Sequence, residues 1–219
     1  MTEEEWLGCM QPEAILMFLR GKTSERKMRL FAAACCRRIW HLLVDQRTRD
    51  LVPALEQYAD ALIRLQELSA ACRQNAGFIQ TAPWHTYPHT AAIAIAAAAG
   101  ESPWAAGWNV VSEVRRALND YMERNGMAEA RQQVWLLQDI MENPFRAVIL
   151  DPSWSRWQDG TVVKLAQAIY DDRQFGDLPI LGDALEEAGC MDGNILNHCR
   201  QPRQHVLGCW VLDLLLGRK

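Results

Sequence analysis

The chain has 219 residues, of which 49% are hydrophobic and 23% are charged, and this balance is typical of a folded globular protein rather than a disordered one. Its formal net charge of −4 argues against a broad nucleic-acid-binding surface, because neutralising phosphates requires an excess of Lys and Arg. The seven cysteines do not have the pattern of a disulfide framework, so we expect free thiols in a reducing compartment.

The sequence also lacks the marks of a membrane or secreted protein. The longest apolar run, residues 90–100, is too short and too rich in alanine to cross a bilayer, which takes about 20 residues. The acidic start MTEEEWLG has neither the basic residues nor the apolar core of a secretory signal. We therefore expect a cytoplasmic protein with no membrane partner.

Helix signals dominate the chain. Pro12 begins the first long helix, and apolar residues spaced three and four positions apart predict a second over residues 24–45. Asp50 is expected to cap the next helix, and Thr90 an alanine-rich one. Further helices are predicted over residues 102–125, 127–142, 161–175, 179–189, 194–199 and 205–216. The sequence thus predicts an all-α fold, either a multi-helix orthogonal bundle or a stack of helical hairpins.

Two segments lack a helical pattern. Residues 78–89 contain prolines and aromatic residues and are predicted to be an ordered loop. Residues 145–160 are predicted to be extended or irregular, and the stretch AVIL within them is expected to lie in a groove between helices. We therefore expect at most one short extended segment near residues 146–150. A single helical domain over residues 1–219 is predicted, with a variable alanine-rich middle at roughly residues 70–138.

The C-terminal region gathers residue types that bind soft metals or act as nucleophiles, namely Cys190, His198, Cys199, His205 and Cys209. The spacing of His205 and Cys209 would place both on one face of a helix. However, there is no CxxC pair, and the spacings match no zinc signature. Because buried thiols and capping histidines explain the same residues, we favour no metal and no cofactor. If a metal binds, its ligands are expected among these five residues.

An enzyme is not the favoured interpretation. A cysteine nucleophile needs a base within hydrogen-bond reach, and the sequence marks neither Cys199 with His205 nor Cys36 with His41 as such a pair. Phosphate-binding loops, the GxSxG elbow and the HExxH motif are absent from the sequence. We expect no catalytic residue.

Aromatic residues in loops are candidate contacts for a partner, because such side chains must either pack inward or offer a binding surface. These candidates are Trp84, His85 and Tyr87 in the proline-bracketed loop, and Trp154 and Trp157 near the motif DPSW.

A second candidate surface is the arginine strip, which we define as Arg26, Arg29, Arg37 and Arg38. Of these, Arg37 and Arg38 are candidate partner contacts. The strip could meet nucleic acid, but acidic residues outnumber basic ones in the chain, so pairing with the protein's own carboxylates is favoured.

Several motifs in a fixed order resemble an uncharacterised family that occurs in many copies per genome in planctomycete bacteria. They are WLGCMQPEAILMFLRGKTSERKMRLFAAACCRRIWHLL, NPFRAVILDPSW, VVKLAQAIYDDRQF and the C-terminal sequence from LPILGDALEEAGC to GCWVLDLLLGRK. The chain departs from the family pattern where Arg203 and Gln204 replace Gly-Pro and where Leu207 replaces Arg. The resemblance implies no activity, substrate or catalytic residue.

We expect a protein–protein interaction or adaptor module whose partner is another protein. The Cys and His residues of the tail are expected to pack the last helix onto the helix that carries Cys35 and Cys36. Two alternatives stay open: a metal-binding or thiol-dependent effector that uses the C-terminal residues, and a nucleic-acid-binding protein that uses the arginine strip.

Overall fold

The computed structural model describes residues 1–84, 86–122 and 126–218, and within these ranges it contains helices and connecting segments but no β-strand. The predicted all-α fold is confirmed. The chain divides into two compact units, Met1–Leu137 and Gln138–Lys219. The boundary falls inside the helix Gly126–Ile140.

The first unit is built from eight helices of the described chain, the last of which crosses the boundary. They are α1 (Glu3–Gly8), α2 (Pro12–Leu19), α3 (Glu25–Arg38), α4 (Gln46–Ala59), α5 (Leu65–Thr81), α6 (Tyr87–Ala98), α7 (Pro103–Met122) and α8 (Gly126–Ile140). A short 3₁₀ turn, Trp40–Leu42, follows α3, so the helix predicted over residues 24–45 ends earlier than expected.

Helix α3 lies at the centre of the first unit and packs against α4, α6 and α7. Ser24 caps its start by accepting a hydrogen bond from the backbone N–H of Lys27. Phe31, Cys35 and Cys36 are fully buried on this helix. Helix α7 approaches α3 closely at Gly107, where a Cβ atom would overlap the side chain of Met28.

Two predicted helix starts are wrong. Asp45, not Asp50, caps α4, because its Oδ1 accepts a hydrogen bond from the backbone N–H of Arg47 at 2.9 Å. The helix therefore begins at Gln46, four residues before Asp50. Thr90 lies inside α6, and its hydroxyl is 2.7 Å from Asp120 Oδ2 instead of capping the helix.

The second unit contains five helices after the end of α8: α9 (Pro152–Arg156), α10 (Thr161–Asp172), α11 (Leu178–Glu187), α12 (Gly193–Arg200) and α13 (Trp210–Leu216). Helix α10 packs against α11 and α13, and α11 packs against α12. The contact between α11 and α12 is close at Gly182, since a Cβ atom there would lie 3.0 Å from Cys199 Cβ.

The segment AVIL forms no strand; Ile149 is 83% exposed, whereas Val148 and Leu150 are half-buried. Among the described residues, no helix combines the length and the apolar composition that crossing a membrane requires.

Candidate metal centre

Four buried side chains of the second unit meet at one point. They are Asp139, His198, His205 and Cys209, and one ligand atom from each lies within 4.8 Å of all the others. We call this group the DHHC cluster. Three of its members are among the five residues that the sequence singled out, whereas Asp139 is not.

Local structure explains how each member is placed. Asp139 lies in the last turn of α8, and His198 lies in the last turn of α12. His205 follows α12 in the connection to α13, and Cys209 occupies the position that caps the start of α13. Gly208 precedes this cap with a φ of 87°, a conformation that favours glycine, and the chain turns there into α13.

The donor atoms of the four side chains lie close to one another. His198 Nε2 is 3.2 Å from both Asp139 Oδ1 and Cys209 Sγ. His205 Nδ1 is 2.5 Å from the same Asp139 oxygen and 4.0 Å from Cys209 Sγ. In a tetrahedral zinc site, bonds of about 2.0–2.3 Å separate neighbouring ligand atoms by roughly 3.3–3.6 Å. The two separations of His198 Nε2 are close to this value, whereas His205 Nδ1 and Asp139 Oδ1 are joined by a direct hydrogen bond and would have to move apart to hold one ion.

A catalytic relay would have a different geometry. In a Cys–His–Asp relay, the histidine contacts the nucleophile with one ring nitrogen and the carboxylate with the other. In the DHHC cluster, His198 points the same nitrogen at the thiol and at the carboxylate, and so does His205. Four donor atoms therefore converge on a point instead of forming a chain for proton transfer.

The residues of the DHHC cluster differ in the hydrogen bonds that they make on the side facing away from the cluster. Asp139 Oδ2 accepts a hydrogen bond from the backbone N–H of Val206 at 3.0 Å, which fixes the orientation of the carboxylate. His198 Nδ1 accepts a hydrogen bond from the indole N–H of Trp210 at 2.9 Å. His205 Nε2 is buried and has no hydrogen-bond partner among the described residues.

The electrostatics oppose charge on the thiol and favour charge on the carboxylate. Burial raises the pKa of Cys209 well above its ordinary value, and the nearby charge of Asp139 raises it further. Burial also opposes ionisation of Asp139, but hydrogen bonds with His198 and His205 outweigh it and hold the pKa of Asp139 below its ordinary value. Without a cation, Cys209 is therefore a protonated and unreactive thiol.

A divalent cation fits this donor set. With Asp139 and Cys209 ionised and both histidines neutral, the four ligands carry two negative charges, which Zn²⁺ neutralises. Leaving His205 Nε2 unpaired costs about 1–3 kcal/mol. Binding of a structural zinc ion supplies about 10–16 kcal/mol and offsets this cost.

The burial of all four residues makes the centre a closed one. Cys209 is fully buried, and the other three residues are less than a tenth exposed. Catalytic zinc sites keep a position open for water or substrate, whereas structural sites use four protein ligands. The DHHC cluster has the features of a structural site.

The two remaining cysteines of the predicted set lie outside the cluster. Cys199 is buried on α12 against Gly182, and burial raises its pKa to about 12. Cys190 is also buried, and burial raises its pKa. Both thiols pack the interior of the second unit.

Asp139 is the member that sequence reasoning missed. Its neighbours Leu136, Leu137, Ile140 and Met141 are all apolar in the sequence and buried in the structure. An acidic residue within such an apolar run indicates a buried carboxylate. A carboxylate is almost never buried without a partner that compensates its charge.

The aromatic candidates have different environments. Trp84 is 75% exposed and stacks on His89, with ring centroids 5.4 Å apart. Tyr87 packs edge to face against Tyr121. Trp157 is half-buried. Trp154 is only 6% exposed, so its expected role as a partner contact is wrong for this residue. His85 lies outside the described residues.

The arginine strip is engaged within the first unit. Its contacts are those of Arg26 with Asp60, Arg29 with the backbone carbonyls of Gly100 and Glu101, Arg37 with Glu56, and Arg38 with Glu129. The Arg37 contact is bidentate, at 2.9 and 2.7 Å. These contacts do not favour a role of the strip in binding nucleic acid.

The chain matches no protein-family model, and no curated protein or solved structure is similar enough to count as a match. Membership of the planctomycete family therefore stays a prediction. The chemistry of the DHHC cluster has to be inferred from its own geometry.

Proposed function

We propose that the second unit binds one zinc ion through Asp139 Oδ1, His198 Nε2, His205 Nδ1 and Cys209 Sγ. The convergence of these four buried atoms within 4.8 Å is the observation that carries the proposal. A nitrogen, oxygen and thiolate donor set in four-coordinate geometry suits zinc better than calcium or magnesium, which prefer oxygen ligands.

The ion has a structural role in this proposal. Its ligands come from the end of α8, the end of α12, the connection that follows it and the start of α13, and one ion would tie these segments together. The thiol-dependent alternative is not favoured, because Cys209 is fully buried and its pKa is raised.

The test is the metal content of the full-length protein and its change with single substitutions. Protein from zinc-supplemented culture should contain about one zinc per chain by elemental analysis, and Cys209→Ala should lose it. Cys190→Ala is the matched control, since Cys190 is an equally buried thiol of the same unit outside the cluster. Wild-type protein that contains no metal and takes up none in a titration would contradict the proposal.

The interaction role predicted from the sequence is a second proposal, and the exposure of Trp84 supports it. An indole that is three-quarters exposed is unusual, because tryptophan side chains are mostly buried. Tryptophan is also enriched where a protein contacts a partner, so the exposed ring of Trp84 is a candidate contact. Tagged protein should retain a specific partner that Trp84→Ala loses. Trp108→Ala should keep that partner, because Trp108 is half-buried on α7 and stacks on Trp104. Equal recovery of every partner by both variants would contradict the role of Trp84.

A further inference from the structure

The hydrogen bond between Trp210 and His198 has a consequence for metal binding. An indole N–H can only donate, so His198 Nδ1 must offer it a lone pair at 2.9 Å. A neutral imidazole carries one proton, which then lies on Nε2. That nitrogen points into the DHHC cluster, 3.2 Å from Asp139 Oδ1 and from Cys209 Sγ. The proton therefore occupies the direction that a metal ion would use.

A metal bound at Nε2 reverses this arrangement. A neutral histidine that ligates through Nε2 carries its proton on Nδ1, and normally donates it to a carboxylate, a carbonyl or water. Here Nδ1–H would face the N–H of Trp210, and two donors cannot share a hydrogen bond. Binding as an imidazolate would keep the bond, but it would leave one uncompensated negative charge in an enclosed site, which is costly.

We infer that Trp210 competes with the metal for His198, so that zinc binding releases the indole N–H from Nδ1. This inference rests on the proposed zinc site. His198 keeps a single proton, which exchanges from Nε2 to Nδ1 through water, and the proton displaced from Cys209 leaves to solvent. Trp210 is thus a determinant of metal affinity that is not itself a ligand.

The position of Trp210 makes the release consequential. Trp210 is the first residue of α13, directly after the ligand Cys209, and it is nearly fully buried. Its ring also packs edge to face against His198, with centroids 5.0 Å apart. An indole N–H that loses its acceptor must find another one or remain an unsatisfied buried donor. Metal binding at the site therefore changes the hydrogen bonding of the first residue of α13.

Substitution of Trp210 by phenylalanine has an effect of unexpected sign. Residues that surround a metal ligand usually support it, and their loss weakens binding. Trp210→Phe removes the competing indole N–H but keeps an aromatic ring. Zinc affinity should therefore rise by at least about fivefold, because the zinc-bound variant no longer contains an unsatisfied buried indole N–H. Trp154→Phe is the matched control, because Trp154 is equally buried in the same unit and should leave zinc affinity unchanged.

The affinity is measured by competition with a zinc chelator on the full-length chain, and the proton is located in the wild type. Long-range ¹H–¹⁵N spectra distinguish the two nitrogens of each of the five histidines. His198 should carry its proton on Nε2 before zinc is added and on Nδ1 afterwards, while the indole signal of Trp210 shifts. This measurement stands even if Trp210→Phe does not fold.

The outcomes separate the two proposals. Two results would overturn the inference and leave the zinc site intact. One is stoichiometric zinc with His198 Nδ1 unprotonated in the bound state. The other is stoichiometric zinc that folded Trp210→Phe binds with unchanged or weaker affinity. No zinc binding by the wild type or by either variant would overturn the zinc site, and this inference with it.

Discussion

Replacing Asp139 with asparagine removes the charge of one proposed ligand while keeping its shape. Oδ1 of Asp139 is shared by His198 and His205, and Oδ2 accepts the N–H of Val206. An amide is a poor zinc ligand and supplies no charge to neutralise the cation. We expect the zinc affinity of Asp139→Asn to fall by more than about 100-fold, since even the loss of a residue that only supports a ligand costs about 10–100-fold.

The loss of affinity translates into a loss of stabilisation by zinc. At a free zinc concentration about 1,000 times the wild-type Kd, binding stabilises the wild type by about 4.1 kcal/mol, whereas a 100-fold weaker variant gains only about 1.4 kcal/mol. The difference of about 2.7 kcal/mol corresponds to about 10–20 °C in Tm for a unit of this size.

Thermal unfolding followed by circular dichroism, with zinc and with excess chelator, measures this difference. Asp183→Asn is the control, because Asp183 is an acidic residue of the same unit that lies outside the cluster and pairs with Arg200 at the surface. Its zinc-dependent rise in Tm should equal that of the wild type. An equal rise in Asp139→Asn would show that Asp139 is not a ligand and would refute the four-donor geometry.

Three further results are expected. Gly107→Ala should lower the free energy of unfolding by about 1–3 kcal/mol in denaturant titrations, because its Cβ would overlap Met28, and an unchanged midpoint would contradict the close helix packing. Gly182→Ala should cost about 1 kcal/mol, since Cys199 lies only 3.0 Å from the added atom and must shift; a gain in stability would mean that the gap is larger than described. Zinc affinity should fall about tenfold for each pH unit below the raised pKa of Cys209, because zinc binding displaces one proton from its sulfur. A zinc affinity that does not change between pH 8 and 6 would exclude a thiolate ligand.

Much of the helical architecture follows from local signals. Ser24 and Pro12 mark helix starts that the structure contains, because capping and the fixed φ of proline act within one turn. Asp45 and Asp50 are equally good capping residues in the sequence, and the structure uses the first of them. Local patterns therefore identify helices more reliably than they place their ends.

The candidate site was predictable in part. His198 and Cys199 are consecutive on α12, and successive residues of a helix point about 100° apart, so only one of them can face the cluster. Spacing alone does not decide which one. Asp139 lies 66 residues before His205, a separation that no short motif spans, and its role depends on how the end of α8 packs. Which residues come together in the DHHC cluster is therefore determined by the tertiary structure.

The uneven burial of the seven cysteines offers a practical route to labelling the native protein. Cys9 and Cys72 are half-buried, and the other five cysteines are buried. Maleimide dyes should thus attach selectively to these two positions, one on each side of α3 and α4 in the chain order, without any cysteine being removed. A donor and acceptor pair placed there would report motions of the first unit while the thiols of the second unit stay untouched.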